Sequence, residues 1–332
     1  MVNHPSKMAS VSLLAVTIVL CFALVSLAQQ TPSSEQDRVD RLAGSLKKHV
    51  TMLSHNLHPR DYLHLENQEM CVKYIYEHFQ KAGAKVTTQD VPFRGKTYQN
   101  VIARFGNGGG KRFIVGAHYD APTGSPGADD NASAVAGLIE LAYMLSRKAG
   151  EKKLEMDFEF VAYSLEEVGL VGSAAHAKSL KRESIDVVGM ISLEMIGYFT
   201  DEPDSQDYPV EAMKLLYPSE GNFIAVIGRL DQAEFVNQLG VTMQGYGGVK
   251  TLSLAAPPSL SSLTRLSDHS SYWDVGYNAV MITDTAFLRN KEYHRPGDTA
   301  DRLDYEKMAH VVLGINKVLR ELPFEKKDDQ GE

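Results

Sequence analysis

Two short motifs, Gly116-Ala-His-Tyr-Asp120 and Gly127-Ala-Asp-Asp-Asn131, stand close together in the first half of the chain. The first motif overlaps the end of an apolar run with strand character, Arg112 to His118, and the second precedes an apolar helical run, Ala132 to Arg147. In open α/β sheets, ligands bind in the crevice beyond the carboxyl ends of the strands. The two motifs therefore predict an α/β fold that presents a histidine and several carboxylates at that edge.

The alternation of strand-like and helix-like runs continues on both sides of these motifs. The other predicted strands are Lys85 to Val91, Tyr98 to Phe105, Met156 to Tyr163, Val187 to Glu194, Phe223 to Ile227 and Val280 to Ile282. The other predicted helices are Asp40 to Ser54, Glu66 to Ala82, Gly169 to Leu180, Leu230 to Leu239 and Tyr305 to Leu322. This alternation predicts a single α/β/α sandwich with a mixed, mostly parallel central sheet.

Three irregular stretches interrupt the pattern. Gly106-Asn-Gly-Gly-Gly110 is typical of a tight connection and predicts a hairpin between the strands on either side of it. The stretches Thr200 to Glu220 and Gly240 to Leu266 are long for a compact domain, and long loops of this kind are usually functional or disordered. Their neighbourhood favours a role as walls of a substrate pocket.

The composition is that of an ordinary globular protein. The chain has 332 residues, of which 43% are hydrophobic, and its formal net charge is −8. Because it lacks a dense cluster of lysine and arginine, nucleic acid is not expected as a partner. Because the sequence shows no interdomain linker, residues 41–322 are predicted to form one domain. A charged tail, 323–332, follows it.

The N-terminus has the features of an export signal. Lys7 precedes an apolar run from Val11 to Leu27, and Ser26-Leu-Ala28 offers small residues for cleavage. We therefore expect a signal peptide over residues 1–28, a flexible segment over 29–40, and an exported protein, periplasmic or secreted, without stable membrane association after cleavage. A retained anchor is the alternative, because the apolar run is near the lower limit for a span.

Eight acidic and imidazole side chains fall at the ends of predicted strands or in the loops that follow them. They are His118, Asp120, Asp129, Asp130, Glu166, Glu167, Glu194 and His294. Taken singly, these residues have ordinary interpretations: Asp129 could cap the next helix, and the glutamate pair could be a solvated helix start. Taken together, imidazoles and carboxylates are the ligands of zinc-type hydrolytic sites, and the set is large enough for two metals.

Five motifs in order resemble those of the M28 zinc metallopeptidases, which include co-catalytic bacterial leucyl aminopeptidases. They are Gly116-Ala-His-Tyr-Asp120, Gly127-Ala-Asp-Asp-Asn-Ala-Ser133, Leu165-Glu-Glu-Val-Gly-Leu-Val-Gly-Ser173, Ser192-Leu-Glu-Met195 and Tyr293-His-Arg-Pro-Gly-Asp-Thr299. The resemblance extends over nearly all of the mature chain, from Asp40 to Leu322.

The resemblance implies a set of roles for these side chains. Asp130 would bridge two zinc ions, with His118 and Glu194 on one and Glu167 and His294 on the other, while Asp120 would orient His118 and Glu166 would be the general base. The family often has aspartate at the position of Glu194, which leaves its coordination mode open. The family's pattern also places His269 near the site, as a supporting or substrate-side group.

The function implied by this resemblance is that of an exported zinc exopeptidase, an aminopeptidase acting on peptides or small proteins with a metal-activated water. Three alternatives stay open. A glutaminyl cyclase would use one zinc, a carboxypeptidase would act from the other end of the peptide, and a peptidase-like binding domain would catalyse no reaction.

Overall fold

The computed structural model describes residues 35–106, 110–151, 154 and 156–321. The chain divides into two compact units, one ending at Arg41 and the other beginning at Leu42, and the second unit contains the whole sheet. The expected signal peptide and the charged tail lie outside the described residues, whereas the described part of segment 29–40 is helical from Glu35. No helix within those ranges combines the length and apolar character of a membrane span.

An eight-stranded mixed sheet forms the centre of the fold. Its strands are β1 Lys85–Phe93, β2 Lys96–Phe105, β3 Arg112–His118, β4 Asp157–Tyr163, β5 Val187–Glu194, β6 Phe223–Arg229, β7 Lys250–Ala256 and β8 Ala279–Thr283. The order across the sheet is β1-β2-β4-β3-β5-β8-β6-β7. Neighbouring strands are parallel from β4 through β3 and β5 to β8, so their carboxyl ends share one edge.

Helices pack on both faces of this sheet, as the alternating pattern predicts. The α-helices of the described residues are α1 Glu35–Thr51, α2 Leu65–Lys81, α3 Ala134–Glu151, α4 Val171–Arg182, α5 Ala233–Gln244, α6 Ser261–Thr264, α7 His269–Asp274 and α8 Tyr305–Glu321. Residues of α4 and α7 share a buried cluster with Ile114 and Val161 of the central strands. On the other face, Gly137 of α3 allows close approach of Ile196 and of Val312 from α8. The expected sandwich is confirmed.

The predicted hairpin at residues 106–110 is wrong. Strand β2 pairs antiparallel with β4, and β4 separates it from β3. A glycine-rich connection of this length can pass over one strand, because an extended residue spans about 3.3 Å and strands lie about 4.8 Å apart. The hairpin instead joins β1 and β2 through Arg94 and Gly95, whose φ angles of 48° and 77° suit a tight turn.

Strand β7 and helix α7 have no counterpart among the predicted elements. Strand β7 lies within the stretch 240–266, and most of its residues are half-buried because it forms the edge of the sheet. The other stretch, 200–220, contains one short 3-10 helix, Glu211–Leu215, with no buried residue.

Candidate metal centre

The residues expected at the site meet at the carboxyl edge of the sheet. His118 is the last residue of β3, Glu194 is the last residue of β5, and Glu166 follows the end of β4. Because these three strands are adjacent and parallel, residues far apart in sequence end at the same place. Asp130 comes from the segment between β3 and α3, and His294 from the loop before α8.

Two triads of donor atoms share the Asp130 carboxylate. His118 Nε2 lies 3.5 Å from Asp130 Oδ1 and 3.4 Å from Glu194 Oε2. On the other side, His294 Nε2 lies 3.0 Å from Asp130 Oδ2 and 3.4 Å from Glu167 Oε2. In each triad the donor atoms are within 4.8 Å of one another. Asp130 therefore presents one oxygen to each group.

The donor set fits zinc. Nitrogen and carboxylate oxygen are its usual non-sulfur ligands, and a carboxylate with one oxygen toward each triad can bridge two ions. Glu167 Oε1 is buried and forms no hydrogen bond within the described part of the chain, which is costly for a carboxylate oxygen without a cation. This orphaned oxygen supports the assignment of the cluster as a cation site.

The pKa shifts within the cluster point the same way. Burial raises the pKa of Glu194, and burial together with Asp130 raises the pKa of Glu167 to about 12. For His118, burial alone would lower the pKa, but the Glu166 and Glu194 carboxylates outweigh it and raise the pKa well above its usual value. Without a cation the crowded cluster thus retains protons, and a divalent cation can replace them.

Glu166 occupies a different place from Glu167. Its Oε2 lies 4.0 Å from His118 Nε2, whereas the histidine nitrogens of the two triads that share Asp130 lie 3.0–3.5 Å from their carboxylate oxygens. It belongs instead to a third group, with His118 and Glu167. Burial raises the pKa of Glu166 well above its ordinary value, against the opposing effect of His118. A carboxyl group with a raised pKa beside a metal site suits proton transfer.

Asp120 supports the glutamates as well as the histidine. Its Oδ1 accepts a hydrogen bond from the backbone N–H of Glu166 at 3.1 Å, and its Oδ2 accepts one from that of Glu167 at 3.2 Å. His118 Nδ1 lies 3.1 Å from the backbone carbonyl oxygen of Asp120 and 3.5 Å from Oδ1. The resemblance implied only the orientation of His118, whereas the carboxylate also fixes the backbone of both glutamates.

Asp298 and Arg60 are supporting residues that the sequence analysis did not assign. Asp298 accepts hydrogen bonds from the backbone N–H groups of Asp129 at 2.9 Å and Asp130 at 3.1 Å. The fully buried Arg60 donates to the carbonyl oxygens of Leu53, Tyr119, Pro126 and Gly127. The motif containing His294 also contains Asp298, which was a usable signal, but no local pattern marks Arg60.

Two assignments are corrected. Asp129 does not cap a helix, because its carboxylate accepts hydrogen bonds from the backbone of Gly197 at 3.0 Å and from Asn290 at 3.2 Å. His269 is fully buried, with Nε2 2.7 Å from the Thr264 carbonyl oxygen and its ring 4.5 Å from that of Trp273. Full burial excludes the substrate-side role expected for His269, and burial also lowers its pKa to about 4.

Comparison with known proteins places the chain in a family. Residues 100–319 match the model of Peptidase family M28. An uncharacterized Escherichia coli protein, YfbL, is 44% identical over 287 residues, which cover 82% of this chain and 86% of that protein. Leucine aminopeptidase 1 of Metarhizium robertsii is 26% identical over 302 residues, which cover 84% of this chain and 72% of that protein.

Solved structures share the fold. A zinc aminopeptidase from Bacillus subtilis aligns with a TM-score of 0.66 over 84% of this chain and 95% of its own, at 14% identity. The glutaminyl cyclase of Porphyromonas gingivalis aligns with the same TM-score over 84% of this chain and 97% of its own, at 17% identity. One fold therefore serves two different reactions, and the side chains at the site must distinguish them.

Proposed function

Because the chain belongs to peptidase family M28, we propose that it is an exported aminopeptidase that removes the N-terminal residue of peptides with two zinc ions. The observation that carries this proposal is the Asp130 carboxylate, which presents one oxygen to each of two triads of donor atoms. A single-metal site needs one such triad. The similarity to leucine aminopeptidase 1 supports the direction of attack.

The chain's own residues divide the work of binding and proton transfer. His118 and Glu194 would hold one zinc, Glu167 and His294 the other, and Asp130 both. Bound zinc would lower the pKa of a water molecule and polarise the scissile carbonyl group. Three of these five side chains, His118, Asp130 and Glu194, are almost fully buried. The protein therefore holds most of the donor set rigidly.

Glu166 would move the proton. Its carboxylate faces the same crevice as the triads but is not needed by either, so it is free to accept a proton from the nucleophilic water and deliver it to the leaving amine. Burial raises its pKa well above the ordinary value, which favours the protonated form that must deliver the proton in the second step. Asp120 holds the backbone of Glu166 in place for both steps.

Metal content and reaction product distinguish an aminopeptidase from the glutaminyl cyclase alternative. The purified mature protein, loaded with zinc and dialysed, should contain close to two equivalents by atomic absorption. It should cleave leucyl-anilide and free peptides, spare peptides blocked at the amino end, and still cleave peptides blocked at the carboxyl end. A protein with one equivalent of zinc that releases ammonia from a peptide with N-terminal glutamine, and leaves leucyl-anilide intact, would overturn the proposal.

Export is tested separately. The mature chain recovered from periplasm or medium should begin near residue 29, as N-terminal sequencing would show. Recovery of the uncleaved chain in the membrane fraction would contradict cleavage and would favour the anchor instead.

A further inference from the structure

A row of side chains leads away from the metal centre across the sheet. Glu194 of β5 is paired with Thr283 of β8, which is paired with Ala225 of β6, which in turn is paired with Leu252 of β7. Paired residues on adjacent strands point to the same face of a sheet. The four side chains therefore form a continuous floor from the site to the edge strand, three strand spacings or roughly 14 Å away.

Two adjoining cavities lie over this floor. The inner cavity includes Glu194 and Tyr293, and the outer cavity includes Ala225 and Leu252. Counting the part open to solvent, they measure about 610 Å³ and about 640 Å³. They share five lining residues, which are Pro209, Ile227, Leu263, Thr285 and Leu288. The shared walls make them two chambers of one groove.

The outer chamber is suited to an apolar occupant. None of its described lining residues carries a charge. Two of its polar side chains are already engaged: Gln206 accepts a hydrogen bond from Arg289 at 2.9 Å, and the Tyr208 hydroxyl donates to the Pro218 carbonyl at 2.7 Å. A charged side chain would be desolvated there without an ion-pair partner, whereas a hydrocarbon chain would carry no such desolvation cost.

The rim of the groove is also apolar. Leu266 and Phe287, which line the inner chamber, are 50% and 41% exposed. Leu215 and Leu216, which lie between the outer-chamber residues Met213 and Tyr217 in the sequence, are 87% and 80% exposed. Exposed apolar groups gathered at the mouth of a cavity are typical of a binding site for apolar ligands.

From these observations we propose that the enzyme prefers N-terminal residues with a linear hydrocarbon side chain longer than that of leucine, which passes through the inner chamber and ends in the outer one. This inference rests on the proposed aminopeptidase function and specifies its substrate. A leucine side chain is shorter than one strand spacing, so it would occupy only the inner chamber. Each further methylene group that enters the outer chamber would leave water for an apolar wall.

The test is a homologous series of aminoacyl-anilides, from norleucine to analogues whose side chains are longer by two and by four methylene groups. For the wild-type enzyme, kcat/KM should rise by up to about fourfold for each added methylene. A value that peaks at leucine or norleucine and falls for both longer analogues would overturn the proposal.

Filling the outer chamber should remove the rise in kcat/KM for long side chains without affecting short ones. Ala225→Leu places a larger side chain on the floor of that chamber, and Leu254→Trp, at a half-buried position of the edge strand, fills the same space if the first variant misfolds. Either should lower kcat/KM for the longest analogue by roughly a hundredfold and leave norleucine within about twofold. Val241→Phe, at an exposed position of α5, is the control.

If both filled variants lost the same factor in kcat/KM on every substrate, the proposed role of the groove would be contradicted. The same holds if a folded variant showed no loss in kcat/KM on the longest analogue. A binding measurement separates this failure from failure of the proposed function. Calorimetric titration with straight-chain alkylamines, from butyl to octyl, should show affinity that increases with length even if no anilide is cleaved. Flat affinity across the amines would refute the groove, whatever the catalytic result.

Discussion

The Oδ1 atom of Asp120 lies 3.1 Å from the backbone nitrogen of Glu166. A second hydrogen bond is donated by the backbone N–H of Glu167 to Oδ2, so one carboxylate fixes the backbone of both a proposed base and a proposed ligand. An Asp120→Asn variant keeps the size but replaces one acceptor with an N–H donor, which would face another N–H. We expect kcat to fall by roughly 10–100-fold with the fold intact by circular dichroism. Asp204→Asn, at an exposed loop position, is the matched control. An unchanged kcat in Asp120→Asn would contradict the proposed role of the Asp120 carboxylate in fixing the backbone of the two glutamates.

Glu166→Gln tests the proton-transfer step. The variant should lose roughly 10²–10⁴-fold in kcat while it retains both zinc ions, because glutamine keeps the shape but cannot accept the proton. The neighbouring Glu167→Gln variant is its counterpart and should lose metal as well as activity. Zinc content and steady-state kinetics on the same samples separate the two effects. Near-normal turnover by Glu166→Gln would exclude it as the base.

Asp130→Ala tests the shared carboxylate. Because both triads use this side chain, the variant should lose zinc from both positions, and activity should not return when zinc is added in excess. Atomic absorption after dialysis is the measurement, with Asp186→Ala, an exposed position before β5, as the control. If two zinc ions remained bound, Asp130 could not be the bridge.

Chelation should reverse the dependence of stability on pH. In the metal-free protein, the raised pKa values of Glu167, Glu194 and His118 mean that the folded state binds more protons than the unfolded state. Its free energy of unfolding should therefore fall as the pH rises above about 4.3, the ordinary pKa of glutamate. Zinc binding displaces protons, so the zinc-loaded protein should gain stability over the same range. Thermal unfolding with and without chelator measures both slopes, and parallel slopes would contradict this account.

Glu159 offers a test of stability away from the proposed chemistry. Burial alone would raise its pKa, but His176, 3.0 Å away, together with Arg112 and Arg104 lowers the pKa to about 2. Since the unfolded value is about 4.3, this stabilisation is complete above that pH and is lost as the pH falls toward 2. Glu159→Gln should therefore lower the free energy of unfolding by about 3 kcal/mol at neutral pH and by much less near pH 2. Urea titrations at both pH values, with the exposed Glu183→Gln as control, would decide this.

The sequence predicted the family, the layered fold and the gathering of the expected site residues. The resemblance to M28 zinc metallopeptidases is confirmed, because residues 100–319 match that family's model. The strand ends that carry His118 and Glu194 were predictable, since strong apolar runs mark buried parallel strands. Their assigned roles as ligands stay predictions until metal is measured.

What the sequence did not predict depends on contacts between distant segments. The order in which β2 and β4 pair is not encoded in the loop between β2 and β3, so a hairpin-like signal was misleading. Strand β7 is half-exposed at the sheet edge and therefore lacks a strong apolar run. Arg60 bonds to four carbonyl groups, three of them about 60 residues away, and no local pattern shows such a partnership.

The two histidines of the proposed centre differ in their access to solvent. The side chain of His118 is 1% exposed, whereas that of His294 is 41% exposed. An ion held by His294 therefore has the shorter route to bulk water, and it would exchange first in a dilute buffer or beside a competing metal. Preparations of the protein would then become mixed-metal forms. Zinc would remain at the site of His118, and a competing ion such as cobalt or manganese would occupy the site of His294.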